Sequence, residues 1–152
     1  MANGVPNSWK SMLAKGQSAG LTDVFKIILM QPGFVFDKDT HHAYADVSGS
    51  EVANGNGYTT GGATLSGVSI ITNNIDNRAE HKWNNVTWTA AGGSITASGA
   101  IIYNSSTLVA SGDDYTNAIV SYKDAGGNVT AVDGTPVVIS SIMETIEDKV
   151  TV

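Results

Sequence analysis

From residue 49 onward the chain is interrupted at short intervals by pairs that accept positive φ at little cost: Asn54-Gly55, Asn56-Gly57, Gly61-Gly62, Gly92-Gly93, Gly126-Gly127 and Asp133-Gly134. A long helix cannot cross such punctuation. The stretches left between the breaks, 63–71, 79–89, 94–103, 108–110, 118–122 and 136–143, have strand length. Val86, Trp88 and Ala90 alternate with polar residues, as a half-buried strand requires. About eight short strands, each sheet burying one face, predict a mainly β fold, an antiparallel β-sandwich or small barrel.

The first fifty residues read differently. Residues 7–15 predict a short helix: Asn7 or Ser8 can cap it, Trp9, Met12 and Leu13 share one face, and Gly16 stops it. Residues 22–30 form an apolar, partly β-branched run ended by Gln31-Pro32-Gly33, which is turn chemistry, so a central strand and then a turn are expected. Residues 41–47, preceded by possible caps at 37–40, predict one helical turn or a loop. At the other end, residues 144–152 alternate Ile146, Val150 and Val152 with polar residues and are expected to form an extended tail that can add a strand to a neighbour. The expected organisation is an N-terminal helical arm over 1–20, a β-rich domain over 21–143 and a C-terminal tail or added strand over 144–152.

Composition narrows the function. Charged residues make up 14% of the chain, below the roughly 25% usual for globular domains. The net charge is −6 and the lysines and the arginine are scattered, which leaves no basic stripe for a nucleic acid. With no cysteine, neither a disulfide framework nor a thiolate metal site is open to it. The segment MANGVPNSWK lacks an apolar signal core and the longest apolar run is too short for a bilayer, so we expect a soluble product made without a secretory signal. The sequons at Asn85, Asn104 and Asn128 then carry no function.

Residues able to do chemistry are few. Asp37 with Asp39, and Asp113 with Asp114, are local carboxylate pairs, but both sit in turn-like sequence where such pairs are normally solvated. His41, His42 and Asp46 offer the edge of a metal site that would need His81 to complete it. No Gly-x-Ser-x-Gly elbow occurs, and Gly55-Asn56-Gly57-Tyr58 lacks the third glycine and flanking elements of a nucleotide fingerprint. Trp83 and Trp88 can stack on a sugar if exposed, although core packing is their commoner use. The chain is therefore read as non-enzymatic, with no cofactor and no metal.

Several segments carry a resemblance. They are the opening MANGVPNSWKSMLAKG, Phe25 to Met30, Phe36 to His41 with Tyr44 to Val47, Gly55 to Thr59, Ala79-Glu80 before Trp83, Val86 to Ala90, Gly92 to Ile95 and Gly99 to Tyr103. In this order, over residues 1–143, the chain resembles a family of small structural virion proteins of tailed bacteriophages and prophages. The resemblance implies a particle component, and a capsid decoration or cement protein on the outer head surface is the expected role, made in the host bacterial cytoplasm. Its expected partners are the major capsid protein and copies of itself, a trimer suiting a threefold position, with no nucleic acid and no membrane. The expected contacts are Trp9, Met12 and Leu13 at one end and Ile146, Val150 and Val152 at the other, because apolar residues on short terminal segments lack local cover. The alternative is a tail or neck protein, with Trp83 and Trp88 facing a receptor glycan.

Overall fold

A computed structural model describes residues 3–18, 20–106 and 115–147. The chain is mainly β, with antiparallel sheets that, among the described residues, do not close into a barrel. Its elements in order are α1 (Asn7–Ala14), β1 (Phe25–Met30), α2 (Tyr44–Val47) running into a 3-10 turn (Ser48–Ser50), β2 (Ala63–Thr64), β3 (Ser69–Asn73), β4 (Arg78–Lys82), β5 (Val86–Thr89), β6 (Ile95–Asn104), β7 (Ile119–Ala131), β8 (Pro136–Ile139) and β9 (Met143–Glu147). They form three antiparallel sheets, ordered β2-β1-β6-β7, β3-β4-β9 and β5-β8.

The main sheet explains why residues 27–30 read as unbroken apolar sequence. Phe25, Ile27 and Leu29 point into a core shared with Trp9, Met12, Trp83, Trp88, Ile102, Val137 and Ile142. Ile28 and Met30 point the other way, into a second cluster with Val47, Ile101, Tyr103, Ile119 and Tyr122, roofed by Phe34, Phe36 and Tyr44. A strand covered on both faces has no use for polar alternation. Each such side chain contributes about 2 kcal/mol by leaving water.

Local chemistry sets the element ends. α1 stops in a Schellman arrangement: Gly16 takes φ 71°, its N–H donates to Leu13 O at 3.0 Å, and the Gln17 N–H donates to Met12 O at 3.0 Å. At its start the cap position falls to Pro6, not to Asn7 or Ser8, and no side chain caps it. Gly55 and Tyr58 exchange both backbone bonds at 2.9 Å around Asn56-Gly57, a tight hairpin turn.

Four expectations change. The stretch 63–71 divides into β2 and β3, and 79–89 into β4 and β5, because the chain leaves one sheet for another at each break; the Trp83 N–H donates to Ile142 O and the Asn84 N–H to Ser66 O at these corners. Gly126-Gly127 does not end a strand. It lies inside β7, where the register with β6 jumps from Ala97↔Val129 to Gly99↔Asp124, and the positive φ of both glycines accommodates the bulge. The tail boundary at 144 also moves, since Glu144 to Glu147 pair with β4 of the same chain. Nor is 1–20 a free arm, because α1 packs into the core. The strand expected at 108–110 lies outside the described residues.

Candidate functional site

A cleft of about 1030 Å³ lies at the seam where α1 meets β7 and β9. Asn3, Gly4 and Val5 form one wall with Lys10, Leu13 and Ala14 of α1, Ser121 and Lys123 come from β7, and Met143 to Ile146 supply the opposite wall, with Lys38 at the rim. A second cavity of about 340 Å³ adjoins it, sharing Asn3, Lys123 and Ser141 and lined chiefly by apolar residues of β6, β7 and β8.

At the floor of the seam sits Glu144, 1% exposed. The strand register places it opposite His81, whose Nδ1 lies 4.0 Å from Oε2, and its Oε1 has no hydrogen-bond partner among the described residues. Burial pushes the Glu144 carboxyl up to about 8, against the pull of the Trp9 indole and of Lys123. Burial likewise depresses His81 to about 4, partly opposed by Asp23. At neutral pH both groups are therefore uncharged, and the close approach of His81 to Glu144 is not an ion pair. Lys123, its basicity lowered by burial and partly restored by Glu144, donates from Nζ to Met143 O. Ser121 Oγ is buried beside it without a partner among the described residues.

A second buried carboxylate, Glu51, is treated quite differently. It is 4% exposed, but Oε2 accepts from the Tyr44 hydroxyl at 2.6 Å, and Oε1 accepts from the Tyr58 hydroxyl at 2.6 Å and the Gly61 N–H at 2.8 Å. The Leu29 N–H donates back to the Tyr58 oxygen at 3.1 Å, and the Tyr44 ring stacks on Tyr103 with centroids 5.0 Å apart. Burial, and then the bond to Glu51, raises both Tyr44 and Tyr58 well above the ordinary phenol range. The network ties α2 and the 55–61 loop to β1.

The residues singled out in sequence are dispersed. His41 Nδ1 accepts the Asp37 N–H at 3.1 Å and its ring stacks on Phe34; His42 stacks on Tyr115; His81 packs on Phe25 and Trp83. Asp46 caps α2 by accepting the N–H groups of His42 and Ala43 at 2.9 Å, and these outweigh burial to hold its carboxyl below the usual range. Among the described residues no three His, Cys, Asp or Glu side chains gather as a metal site. Asp37 accepts the Asp39 N–H at 2.8 Å, a turn contact. Asp113 and Asp114 lie outside the described residues.

Trp83 and Trp88, 6% and 7% exposed, belong to the core and present no platform for a sugar. Trp9 and Met12, at 0% and 1%, are covered by their own chain, so the expectation that they need a neighbour's cover fails; α1 is long enough to bury its apolar stripe against β1 and Trp83. Leu13 is half-buried at the cleft wall and Ile146 is 53% exposed, while Val150 and Val152 lie outside the described residues. Glu51, Ser121, Lys123 and Glu144 were not singled out. A glutamate set seven residues from a tyrosine on either side, Tyr44 and Tyr58, was the available signal at Glu51. Compared with protein-family models, curated proteins and solved structures, the chain matches none.

Proposed function

We propose that this chain is a structural component of a tailed-phage virion, a capsid decoration or cement protein that binds the outer head surface and clamps the seams between capsid subunits. The observation that carries the reading is the apolar surface of the β3-β4-β9 sheet. Ile70, Ile71 and Ile146 stand 49%, 46% and 53% exposed on it, and Ile75 in its β3–β4 turn is 93% exposed. Ile70 and Ile146 share the face of His81 and Glu144, and Ile71 stands on the other beside the Arg78–Glu80–Lys82 ion pairs, so each side of this small sheet presents an apolar side chain to solvent. Its two outer strands, β3 and β9, have unpaired edges among the described residues. A sheet of this kind is suited to cover by another molecule. The resemblance over residues 1–143 supplies the setting.

In that role no chemistry is required of the chain. A standard interface of about 1,600 Å² repeated over the shell multiplies a modest stabilisation at each seam. The test is the copy number of this chain against the major capsid protein, by mass spectrometry of purified particles. A ratio near one, or a simple fraction such as one third, is expected. A handful of copies per particle would overturn the head assignment in favour of the tail or neck. Ile71→Asp with Ile146→Asp is expected to abolish particle binding while the isolated chain keeps its thermal transition.

A further inference from the structure

We infer that the cleft between α1 and β9 is a binding site for an extended, acidic peptide segment of a partner protein, which adds as a strand to the open edge of β9. The inference goes beyond the virion reading and does not depend on it.

Backbone alternation is the first support. The Ile142 carbonyl accepts the Trp83 N–H at 3.1 Å, which points that residue's polar groups toward β4. Along an antiparallel strand the direction reverses at each residue, so Met143 and Thr145 turn theirs the other way, toward the cleft. Lys123 Nζ already reaches Met143 O from that side, which fixes the direction independently. Among the described residues β9 pairs with β4 alone, leaving Thr145 N–H and C=O open to a further strand.

Shape and charge select the occupant. The cleft runs beside the strand for four residues, Met143 to Ile146, and its far wall of Val5, Leu13 and Ala14 gives apolar cover to one face of an inserted chain. Among the described residues that line it, Lys10, Lys38 and Lys123 are basic and Glu144 is the only carboxyl. Because Glu144 is neutral below about pH 8, the described lining carries no negative charge at neutral pH. In a chain of net charge −6 this is a local cationic strip. Backbone pairing supplies affinity and the lysines supply the preference for acid side chains, as in other strand-addition sites.

The test uses the full chain and three fluorescein-labelled heptapeptides: Glu-Val-Asp-Thr-Glu-Val-Asp, the same sequence with Lys at every acidic position, and the acidic sequence N-methylated at alternate residues. Fluorescence anisotropy is expected to show saturable binding of the acidic peptide, at least about tenfold weaker binding of the other two, and a comparable loss for the acidic peptide with the Lys10→Glu, Lys38→Glu double variant. Equal binding of the N-methylated peptide would overturn strand addition, and equal binding of the basic one would overturn the charge selection. Equally tight binding of a labelled oligothymidylate would also overturn it, by showing a general polyanion surface. A Thr145→Pro variant, which removes the outward N–H, is expected to lose the peptide, and its circular dichroism reports whether the β9 edge survives.

Discussion

Glu51 and Glu144 are both taken out of water, at 4% and 1% exposure, yet the protein handles them in opposite ways. Around Glu51 the chain supplies three donors, two phenols and a backbone N–H, so its carboxyl oxygens are met on both sides. Around Glu144 it supplies a neutral histidine at 4.0 Å, an indole and the ammonium of Lys123 engaged elsewhere, and the carboxyl keeps its proton up to about pH 8. The lesson is that burial alone does not fix how a carboxyl is accommodated, because the donors built around it differ. One corner is a rigid tie between loop and sheet. The other is a seam whose electrostatics change with pH.

Removing the carboxylate at the first corner is the harshest way to break the comparison. Glu51→Ala strands the Tyr44 and Tyr58 hydroxyls and the Gly61 N–H, and urea unfolding at neutral pH is expected to show a loss of at least about 3 kcal/mol. If the loss is below 1 kcal/mol on that same order-of-magnitude scale, the network is not the tie described here.

The second corner is sharpened by pH. The Glu144 carboxyl is raised in the folded chain from 4.5 to about 8, so folding takes up a proton as pH rises between those values and stability falls. His81 is lowered from 6.5 to about 4, so its contribution is lost as pH falls below 6.5 and rises again toward 6.5. The two slopes oppose each other between pH 4.5 and 6.5, and of this pair Glu144 alone acts between 6.5 and 8. Over that upper interval the wild type is expected to lose about 2 kcal/mol relative to Glu144→Gln, read from denaturation series at the two pH values. Parallel pH profiles would mean that Glu144 is ionised in the folded chain.

A milder change probes how the first network shares its bonds. Tyr44→Phe leaves Oε2 of Glu51 without its 2.6 Å donor but keeps the ring on Tyr103, so about 1.5 kcal/mol is expected. In a double-mutant cycle with Tyr58→Phe the losses should be non-additive, since both phenols serve one carboxylate. The smallest effect belongs to a third carboxylate, Glu80, itself 3% exposed and held down to about 2 by Lys82, Asn73 and Arg78, whose two cations reach solvent from β4. Its contribution is present above the ordinary carboxylate range and lost only as pH falls toward 2. Glu80→Gln should therefore shift the thermal transition little at neutral pH, and less still in high salt.

Much of the frame is legible without coordinates because it rests on neighbours in sequence. The helix expected at 7–15 is found at Asn7–Ala14, and Gly16 ends it as its backbone freedom allows. The turn at Asn56-Gly57 and the strand Phe25–Met30 are also readable. Gly126-Gly127 misleads because the same positive φ serves a turn or a bulge, and only the long β6 partner decides between them. The stretch from 144 misleads because an alternating segment looks the same whether it pairs at home or with a neighbour, and only the presence of β4 makes it β9.

The sequence by itself determined that this is a turn-rich, mainly β chain with one short helix, because φ preferences and apolar periodicity act over a few residues. Tertiary structure alone decided which buried carboxyl is met by donors and which is not, that Trp9 and Met12 are core, and that a lysine-lined cleft opens beside β9. Those outcomes depend on burial and on distances among residues as far apart in the chain as Trp9, His81, Lys123 and Glu144, and no local pattern encodes such a meeting.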